Sequence, residues 1–256
     1  MNEFKKVAVQ AAKKSGKMLL REYKNFDRNK IKFKSHYEIV TRADLMSEEI
    51  IISLIKDNFP HHAVLAEESG QSKNQSDYLW IIDPLDGTTN FSMHNPLWSI
   101  SIGLVKNNEF LLGLVYAPFM DEMFVAEKDK GASLNGKKIK VSKNKSGKIL
   151  NTFCHGTKEK DIKRAIRYYQ KQKLEALDCR QMGSAAIELA FVATGRTESF
   201  LAPGARDWDV AAGVLLVWEA GGIVTDFKGE EWKIGSGDIL ASNGYVHREI
   251  LRVINS

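Results

Sequence analysis

Residues 80 to 91 read Trp-Ile-Ile-Asp-Pro-Leu-Asp-Gly-Thr-Thr-Asn-Phe, an apolar run that stops at two carboxylates three positions apart and is followed at once by small, hydroxyl-bearing residues. Trp80, Ile81 and Ile82 predict a buried strand. Pro84 has a fixed φ and holds Asp83 extended, so the chain turns there and Asp86 is brought round towards Asp83. Two hard oxygen ligands then converge at a strand's end. Mg²⁺ takes oxygen ligands in near-octahedral geometry, commonly only one or two protein carboxylates, with positions left for water and phosphate; Asp83 is placed to bridge two such ions. Gly87, Thr88 and Thr89 would turn backbone N–H groups towards an anion if a helix starts there. Asp-Gly is equally a common turn, and these residues alone leave a capped turn open.

Other acids end other apolar runs, and Asp and Glu are rarely fully buried unless paired or bound to metal. Glu67 and Glu68 follow Ala63-Val64-Leu65-Ala66, and Asp44 follows Ile39-Val40-Thr41. Far downstream, Asp209 lies in Trp208-Asp209-Val210-Ala211-Ala212-Gly213, at the predicted start of a helix. Each acid taken singly reads as a helix cap or a solvated charge. Four segments with the same arrangement point together to a metal and phosphate site.

With these motifs the chain resembles the inositol monophosphatase-like, Mg²⁺-dependent and typically lithium-sensitive phosphatases. The resemblance rests on Val40-Thr41-Arg42-Ala43-Asp44, Ala66-Glu67-Glu68-Ser69-Gly70, Asp83 to Phe91, Gly183-Ser184-Ala185-Ala186 and Trp208 to Gly213, in order and with fitting spacing. It implies that Glu67, Asp83 and the carbonyl of Leu85 hold a first Mg²⁺ and that Asp83, Asp86 and Asp209 hold a second, with a third, weaker ion near Glu67. It implies that Asp44 and Thr88 orient the attacking water, with Glu67 beside them in the catalytic set. Gly87 and Thr88 would present N–H groups to phosphate, and Asp86, Gly183, Ser184, Ala185 and Asp209 would complete the substrate site. The fold implied is a mixed α/β, five-layered αβαβα sandwich of the inositol monophosphatase and fructose bisphosphatase type, usually a homodimer. Hydrolysis would proceed by direct in-line attack of a metal-activated water, with no covalent intermediate.

Two decoys are set aside on spacing. Haloacid dehalogenase-like phosphatases place Asp-Gly-Thr after an apolar strand and use the earlier Asp as nucleophile, but one residue separates their acids, whereas Pro84 and Leu85 both intervene here. Gly131-Ala132-Ser133-Leu134-Asn135-Gly136-Lys137-Lys138 matches a P-loop except that Lys138 stands where Ser or Thr should reach the metal. Its context is that of a hairpin, with Asn135-Gly136 at the turn and Ile139-Lys140-Val141 alternating like a short strand. No Gly-x-Ser-x-Gly elbow occurs, and the six histidines show no paired ligand spacing. His61 and His62 follow Pro60 and are predicted on the surface. Cys154 and Cys179 form no Cys-x-x-Cys pair, which argues against zinc or thiol redox chemistry.

The 256 residues, 43% hydrophobic, suffice for a large core in one domain, read as two closely joined lobes of about residues 1–145 and 146–256. With no disulfide framework, no signal-like N-terminus and no apolar stretch near the roughly 18 residues of a membrane span, a reducing cytoplasm is expected. The net charge of +5 suits anionic substrates, while no recognition helix or basic stripe interleaved with aromatics points to nucleic acid. Lys137 to Lys148 is the densest basic segment and is read as exposed loop and edge strand.

Periodicity predicts helices over residues 3–23 and 44–58, the latter with Leu45, Ile51, Ile52, Leu54 and Ile55 on its apolar face. Strands follow over 98–105, 109–117 and 121–127, the first two turning at Asn107-Asn108. The second half predicts a strand at 149–154, a helix at 158–172 with Ile162, Ala165, Ile166 and Tyr169 on one face, and a helix capped by Ser184. A strand at 197–201, a helix at 208–220 stopped by Gly221-Gly222, a strand at 223–226 and a helix at 245–254 complete the chain.

The substrate alcohol is less legible. Thr88-Thr89-Asn90-Phe91 resembles the inositol monophosphatase branch and lacks the Lys-Glu-Phe of relatives acting on adenosine bisphosphate. Ala202, however, stands where many members place a Glu that contacts inositol hydroxyls, which implies looser specificity. Arg180 and Arg206 are candidates for a second anionic group, as in fructose bisphosphate. Histidinol phosphate and an RNA-linked or transcription-linked binding role, known among bacterial members, are the remaining alternatives.

Overall fold

The computed structural model describes residues 3–33, 39–145 and 148–256. Helix α1 (Glu3–Lys24) buries Val7, Ala8, Ala11, Ala12, Met18 and Leu19, the stripe that its 3.6-residue period lays on one face. A two-residue pair, β1 (Lys32–Phe33) with β2 (Ile39–Val40), leads into α2 (Arg42–Asn58). There follow β3 (Ala63–Ala66), β4 (Gly70–Gln71), β5 (Tyr78–Asp86), the short α3 (Thr88–Ser92), β6 (Ser99–Lys106), β7 (Glu109–Ala117), β8 (Glu122–Glu127), β9 (Gly131–Leu134) and β10 (Lys137–Lys138). These strands form one eight-stranded sheet in the order β10-β9-β8-β7-β6-β5-β3-β4, in which only β3 and β5 pair in parallel.

The rest of the described chain comprises β11 (Leu150–Phe153), α4 (Glu159–Glu175), β12 (Asp178–Arg180), α5 (Ala185–Ala193), β13 (Ser199–Ala202), α6 (Asp207–Glu219), β14 (Ile223–Thr225), β15 (Ile239–Ser242) and α7 (His247–Asn255). Its five strands run in the order β12-β11-β13-β15-β14. Three apolar clusters mark how the layers stack. One lies between α1, α2 and the large sheet, one surrounds α5 and α6 between the two sheets, and one joins the small sheet to α4 and α7. The result is the expected αβαβα sandwich.

The stacking explains the sequence pattern of each layer. Helices α5 and α6 are covered by a sheet on either side, so they are apolar almost all round, and Val210 to Val217 are buried without a break. They also pack closely: a Cβ on Gly213 would lie 2.6 Å from Leu189 Cβ, which is why no larger residue fits there. Strand β6, buried on both faces of the large sheet, reads as a continuous run rather than an alternation. The Asn107-Asn108 and Asn135-Gly136 turns both place two residues in the left-handed region, as two-residue hairpins require.

Several expectations need correction. Residues 139–141 form no strand; the β9–β10 hairpin ends at Lys138. Helix α4 turns Ala165, Tyr168 and Gln172 inward, leaving Ile166 and Tyr169 exposed, because its packed stripe is set by a tyrosine and a glutamine that hydrophobicity alone does not single out. Leu45 is exposed on α2 while the polar Ser47 and Glu48 are buried. His61 is exposed as expected, but His62 is half-buried: it stacks on Phe59 and Tyr78, and its Nδ1 accepts from Trp80 Nε1 at 3.1 Å. The 137–148 segment is exposed at Lys137, Lys138, Lys140, Lys143 and Lys145, while residues 146 and 147 lie outside the described residues. Strands β12 and β15, too short for a clear period, were absent from the sequence reading.

Candidate active site

Asp83 and Asp86 sit at the end of β5, where pairing with β6 shifts register between them. Pro84 lies inside this irregularity, where the ladder makes no demand for its missing N–H. Its carbonyl is held by Ser47 Oγ of α2 at 2.6 Å, and Asp83 Oδ1 accepts from Leu85 N at 2.9 Å. Gly87 then adopts φ 88°, and a Cβ there would fall 2.9 Å from Leu97 O and 3.1 Å from Gly183 O. Glycine is therefore required both by the backbone conformation and by the close approach of Gly183. The same turn that aims the acids also opens the first turn of α3 beside them.

Asp44 enters from α2. Thr41 caps that helix in a reciprocal box, with Thr41 N donating to Asp44 Oδ2 at 2.8 Å and Thr41 Oγ1 holding the helix's second residue, Ala43 N, at 3.1 Å. Its other oxygen, Asp44 Oδ1, accepts from Thr88 Oγ1 at 2.9 Å, and Thr88 Oγ1 lies 3.0 Å from Leu85 O. Asp44 is thus a helix cap tied to Thr88, and it is itself fully buried and lines neither of the two cavities described below. Burial pushes its carboxyl up to about 6, against the opposing hydrogen bonds from Thr41 and Thr88.

Asp86 reaches across to the second half of the chain. Its Oδ2 accepts from Ser184 Oγ and, at 2.8 Å, from Ala186 N, while Oδ1 accepts from Ala185 N at 3.3 Å. It therefore serves as an anion at the N-terminus of α5 as well as a ligand candidate. Asp209 stands in the first turn of α6, with Oδ2 3.4 Å from Arg206 N. Glu67 follows β3, its N–H bonded to Ile82 O at 3.2 Å, and Glu68 N donates to Glu48 Oε2 at 2.9 Å.

Electrostatics tie four of these acids together. Asp83 is raised well above the ordinary carboxylate range by burial first and then by Glu67, Asp86 and Asp209. Asp209 is raised by burial, then by Asp86 and Glu67. Asp86 is pushed up to about 6 by burial, with the α5 N-terminus opposing. Four carboxylates are concentrated here against one guanidinium, Arg206, which opposes the rise at Asp209, and such an oxygen-rich, acid-dominated environment suits a hard divalent cation. Among the described residues no three or more His, Cys, Asp or Glu side chains are arranged as they stand to grip an ion. Both Asp86 oxygens are engaged by α5 and one Asp83 oxygen by Leu85 N, so the donors match Mg²⁺ in chemistry but are turned to protein partners.

A cleft of about 340 Å³ opens over Glu67, Asp86, Gly87, Thr88 and Asp209, with Gly183 and Ala185 on its far wall. A smaller cavity of about 160 Å³ reaches Asp83 and Leu85 beneath it. Ser184 is buried behind the wall, where its hydroxyl orients Asp86. Of the two arginines, Arg206 lines the smaller cavity, whereas Arg180 pairs with Asp178 at 2.7 Å and lines neither. Ala202 is buried at the end of β13 and also lines neither.

The sequence reading missed three contributors. His155 borders both cavities, just past the carboxyl end of β11, where ligands of α/β sheets commonly bind. Asn90 Nδ2 donates to Leu97 O at 2.6 Å and Met182 O at 2.8 Å, joining α3 to the Gly183 segment. Glu188 lies fully buried; its Oε1 accepts from Cys154 Sγ, Met182 N and Gly183 N, each at 3.1 Å. A lone charge in the apolar α5 sequence was the available signal for Glu188.

Comparison with known proteins agrees with this architecture. The sequence pattern of the inositol monophosphatase family matches residues 1–256. A putative Nus factor SuhB of Neisseria meningitidis serogroup B is 38% identical over 262 residues, covering 100% of this chain and 99% of the relative. An inositol monophosphatase from Anabaena (Nostoc) sp. PCC 7120 superposes with a TM-score of 0.87 at 36% identity, covering 98% of this chain and 95% of that one. For an IMPase of Thermotoga maritima the values are 0.91 and 33%, with 100% and 97% covered. In sequence along its whole length and in the stacking of its layers, the chain belongs to the inositol monophosphatase family.

Proposed function

We propose that the protein is a Mg²⁺-dependent hydrolase of small-molecule phosphate monoesters, with inositol monophosphate as the first substrate to test. The observation that carries this reading is the convergence of Glu67, Asp83, Asp86 and Asp209, from three segments of the chain, on the smaller cavity beneath the cleft and beside Gly87. Mg²⁺, when bound, supplies charge neutralisation for phosphoryl and leaving-group oxygens and acidifies water. Glu67, Asp83, Asp86, Asp209 and the Leu85 carbonyl would hold two or three ions. Binding requires Asp86 to share its oxygens with the α5 N-terminus.

The remaining residues position the reactants. The Thr88 hydroxyl, which lines the cleft and donates to Asp44 Oδ1, holds a water in line with the scissile P–O bond and relays the proton that the water loses to Asp44; as the water oxygen bonds to phosphorus the P–O bond to the alcohol breaks, and the leaving oxygen takes up a proton from solvent. The backbone N–H groups of Gly87 and Thr88 bind phosphoryl oxygens, and Gly183 and Ala185 flank the alcohol. Because Ala202 supplies no acceptor, specificity for the alcohol is looser than in a site with Glu at that position. Phosphate release should be measured with and without Mg²⁺ on inositol monophosphate, fructose bisphosphate, histidinol phosphate and adenosine bisphosphate. Asp209→Asn, which removes one charge and little volume, should abolish release while preserving the melting curve; equal turnover by that variant would refute the assignment.

A second reading is favoured by the full-length match to proteins named Nus factors, namely that the chain also joins a transcription complex. It predicts a biological role that survives Asp209→Asn, and loss of that role with turnover would exclude it. The protein is further proposed to form a homodimer, consistent with the exposed Leu174 in the last turn of α4 and Leu177 just after it. No helix among the described residues is long and apolar enough to cross a membrane.

A further inference from the structure

A groove of about 810 Å³ lies away from the carboxylate cleft and shares no lining residue with it. Helix α6 connects the two. Asp209 is in its first turn and Trp218 and Glu219 in its last, so the 13-residue helix separates them by about 15 Å at 1.5 Å per residue. The groove is floored by the C-terminal end of α6 and walled by the β9–β10 hairpin, the 139–143 segment and Tyr245.

Its chemistry is asymmetric. Lys130, Lys138, Lys140 and Lys143 line it, and Lys145 stands at its edge with Nζ 4.7 Å from the Tyr245 ring centre. Lys130 is paired with Glu127 at 3.0 Å, but no ion pair among the described residues uses Lys138, Lys140 or Lys143. Of the two acids present, Glu219 is turned to the protein, its oxygens accepting from Asp129 N at 2.8 Å and Gly131 N at 2.7 Å. Asp129 is the other. Two of the carbonyls at the end of α6, which would repel an anion, are engaged: Ala220 O accepts from Val141 N at 3.1 Å and Trp218 O from Gly221 N at 2.9 Å. Two flat rings complete the lining, Trp218 half-buried and Tyr245 half-exposed.

Lysines and aromatic rings lining one groove match a flexible polyanion whose units carry π faces. We propose that this groove binds single-stranded nucleic acid, its phosphates on Lys138, Lys140 and Lys143 and a base on Tyr245, where it displaces Lys145 from the ring. The sequence shows no basic stripe interleaved with aromatics because the lysines and rings are far apart along the chain and meet only in the fold. The proposal deepens the transcription-linked reading and rests on it. Its test measures binding alone, so failure here and failure of that reading in cells are separate results.

The experiment is fluorescence anisotropy with a labelled oligouridylate of about 12 nucleotides. The proteins compared are wild type, Lys138→Glu/Lys140→Glu/Lys143→Glu, Tyr245→Ala and Asp209→Asn. The triple variant should weaken binding at least about thirtyfold and flatten the log–log salt dependence by about 2. Tyr245→Ala should weaken it about tenfold. Asp209→Asn should bind as wild type does, and the groove variants should keep the wild-type melting curve. The proposal is overturned by absence of binding at about 100 mM salt, by unchanged affinity in the triple variant, by equal binding of a duplex or of polyglutamate, or by a loss in Asp209→Asn that puts the nucleic acid in the cleft.

Discussion

Glu188 gives the sharpest test of how the fold supports the site. It is fully buried, and burial pushes its carboxyl up to about 8 from 4.5, despite hydrogen bonds from Cys154, Met182 and Gly183. The folded state therefore holds a proton that the unfolded chain releases. The associated stability is complete below pH 4.5 and is lost as pH rises through about 8. At pH 7 the unfolded chain has gained about 2.5 pH units of ionisation, which at 1.36 kcal/mol per unit is a penalty of about 3 kcal/mol. Glu188→Gln keeps an acceptor for the three donors and cannot ionise. It should raise stability at pH 7 by about 3 kcal/mol, or on the order of 6 to 10 °C in melting temperature, with the gain vanishing near pH 4.5. Urea melts of both proteins from pH 4.5 to pH 8 check this. Parallel stability curves would show that Glu188 is ionised in the native state and that the account of its burial is wrong.

Other outcomes follow from the packing and the site. Mg²⁺ should raise the melting temperature relative to EDTA, since a ligand at 100 times its dissociation constant adds about 2.7 kcal/mol, and an unchanged melt would count against the carboxylate centre. Gly213→Ala places a Cβ 2.6 Å from Leu189 Cβ and should cost about 1–3 kcal/mol in denaturant melts, whereas a neutral result would mean that α5 and α6 can separate freely. Leu174→Asp/Leu177→Asp should convert a dimer to a monomer in sedimentation without lowering the melting temperature of the protomer; an unchanged sedimentation coefficient would place the interface elsewhere or show that none forms.

Much of the site was readable because it is built from local grammar. The Asp83-Pro84-Leu85-Asp86-Gly87 stretch specifies its own strand end, register shift and left-handed turn within five residues. Ser184 announces the start of α5 by its position, and its hydroxyl accepts from Ile187 N, whereas the Thr41 cap sets the start of α2 at Arg42, two residues before the expected 44. Helices α1 and α6 were visible for a similar reason, since long runs of one period, or of unbroken apolarity, outweigh the noise of single positions. The failures also have a pattern. Strand β15 is four residues long, yet it lies inside the small sheet, so its existence depends on β13 and β14 closing on either side rather than on any signal of its own.

The least legible features are those in which one residue satisfies two distant demands. Asp86 reads in sequence as a metal ligand, and in the fold it also holds the N-terminus of a helix about 100 positions away, through Ser184 and Ala186. Any cation must therefore compete with, or share, the hydrogen bonds that dock α5 against the large sheet. Metal affinity and the placement of Gly183 and Ala185 are thereby coupled through a single carboxylate. Glu188 lies one helical turn further on and fixes the other end of the same segment through Met182 and Gly183. Sequence spacing identifies the acids but not this coupling, because hydrogen-bond partners across 100 residues leave no periodic trace. The consequence is specific: substitutions at Ser184 should alter Mg²⁺ dependence, although Ser184 is buried behind the cleft wall and its hydroxyl is directed at Asp86 rather than at the substrate.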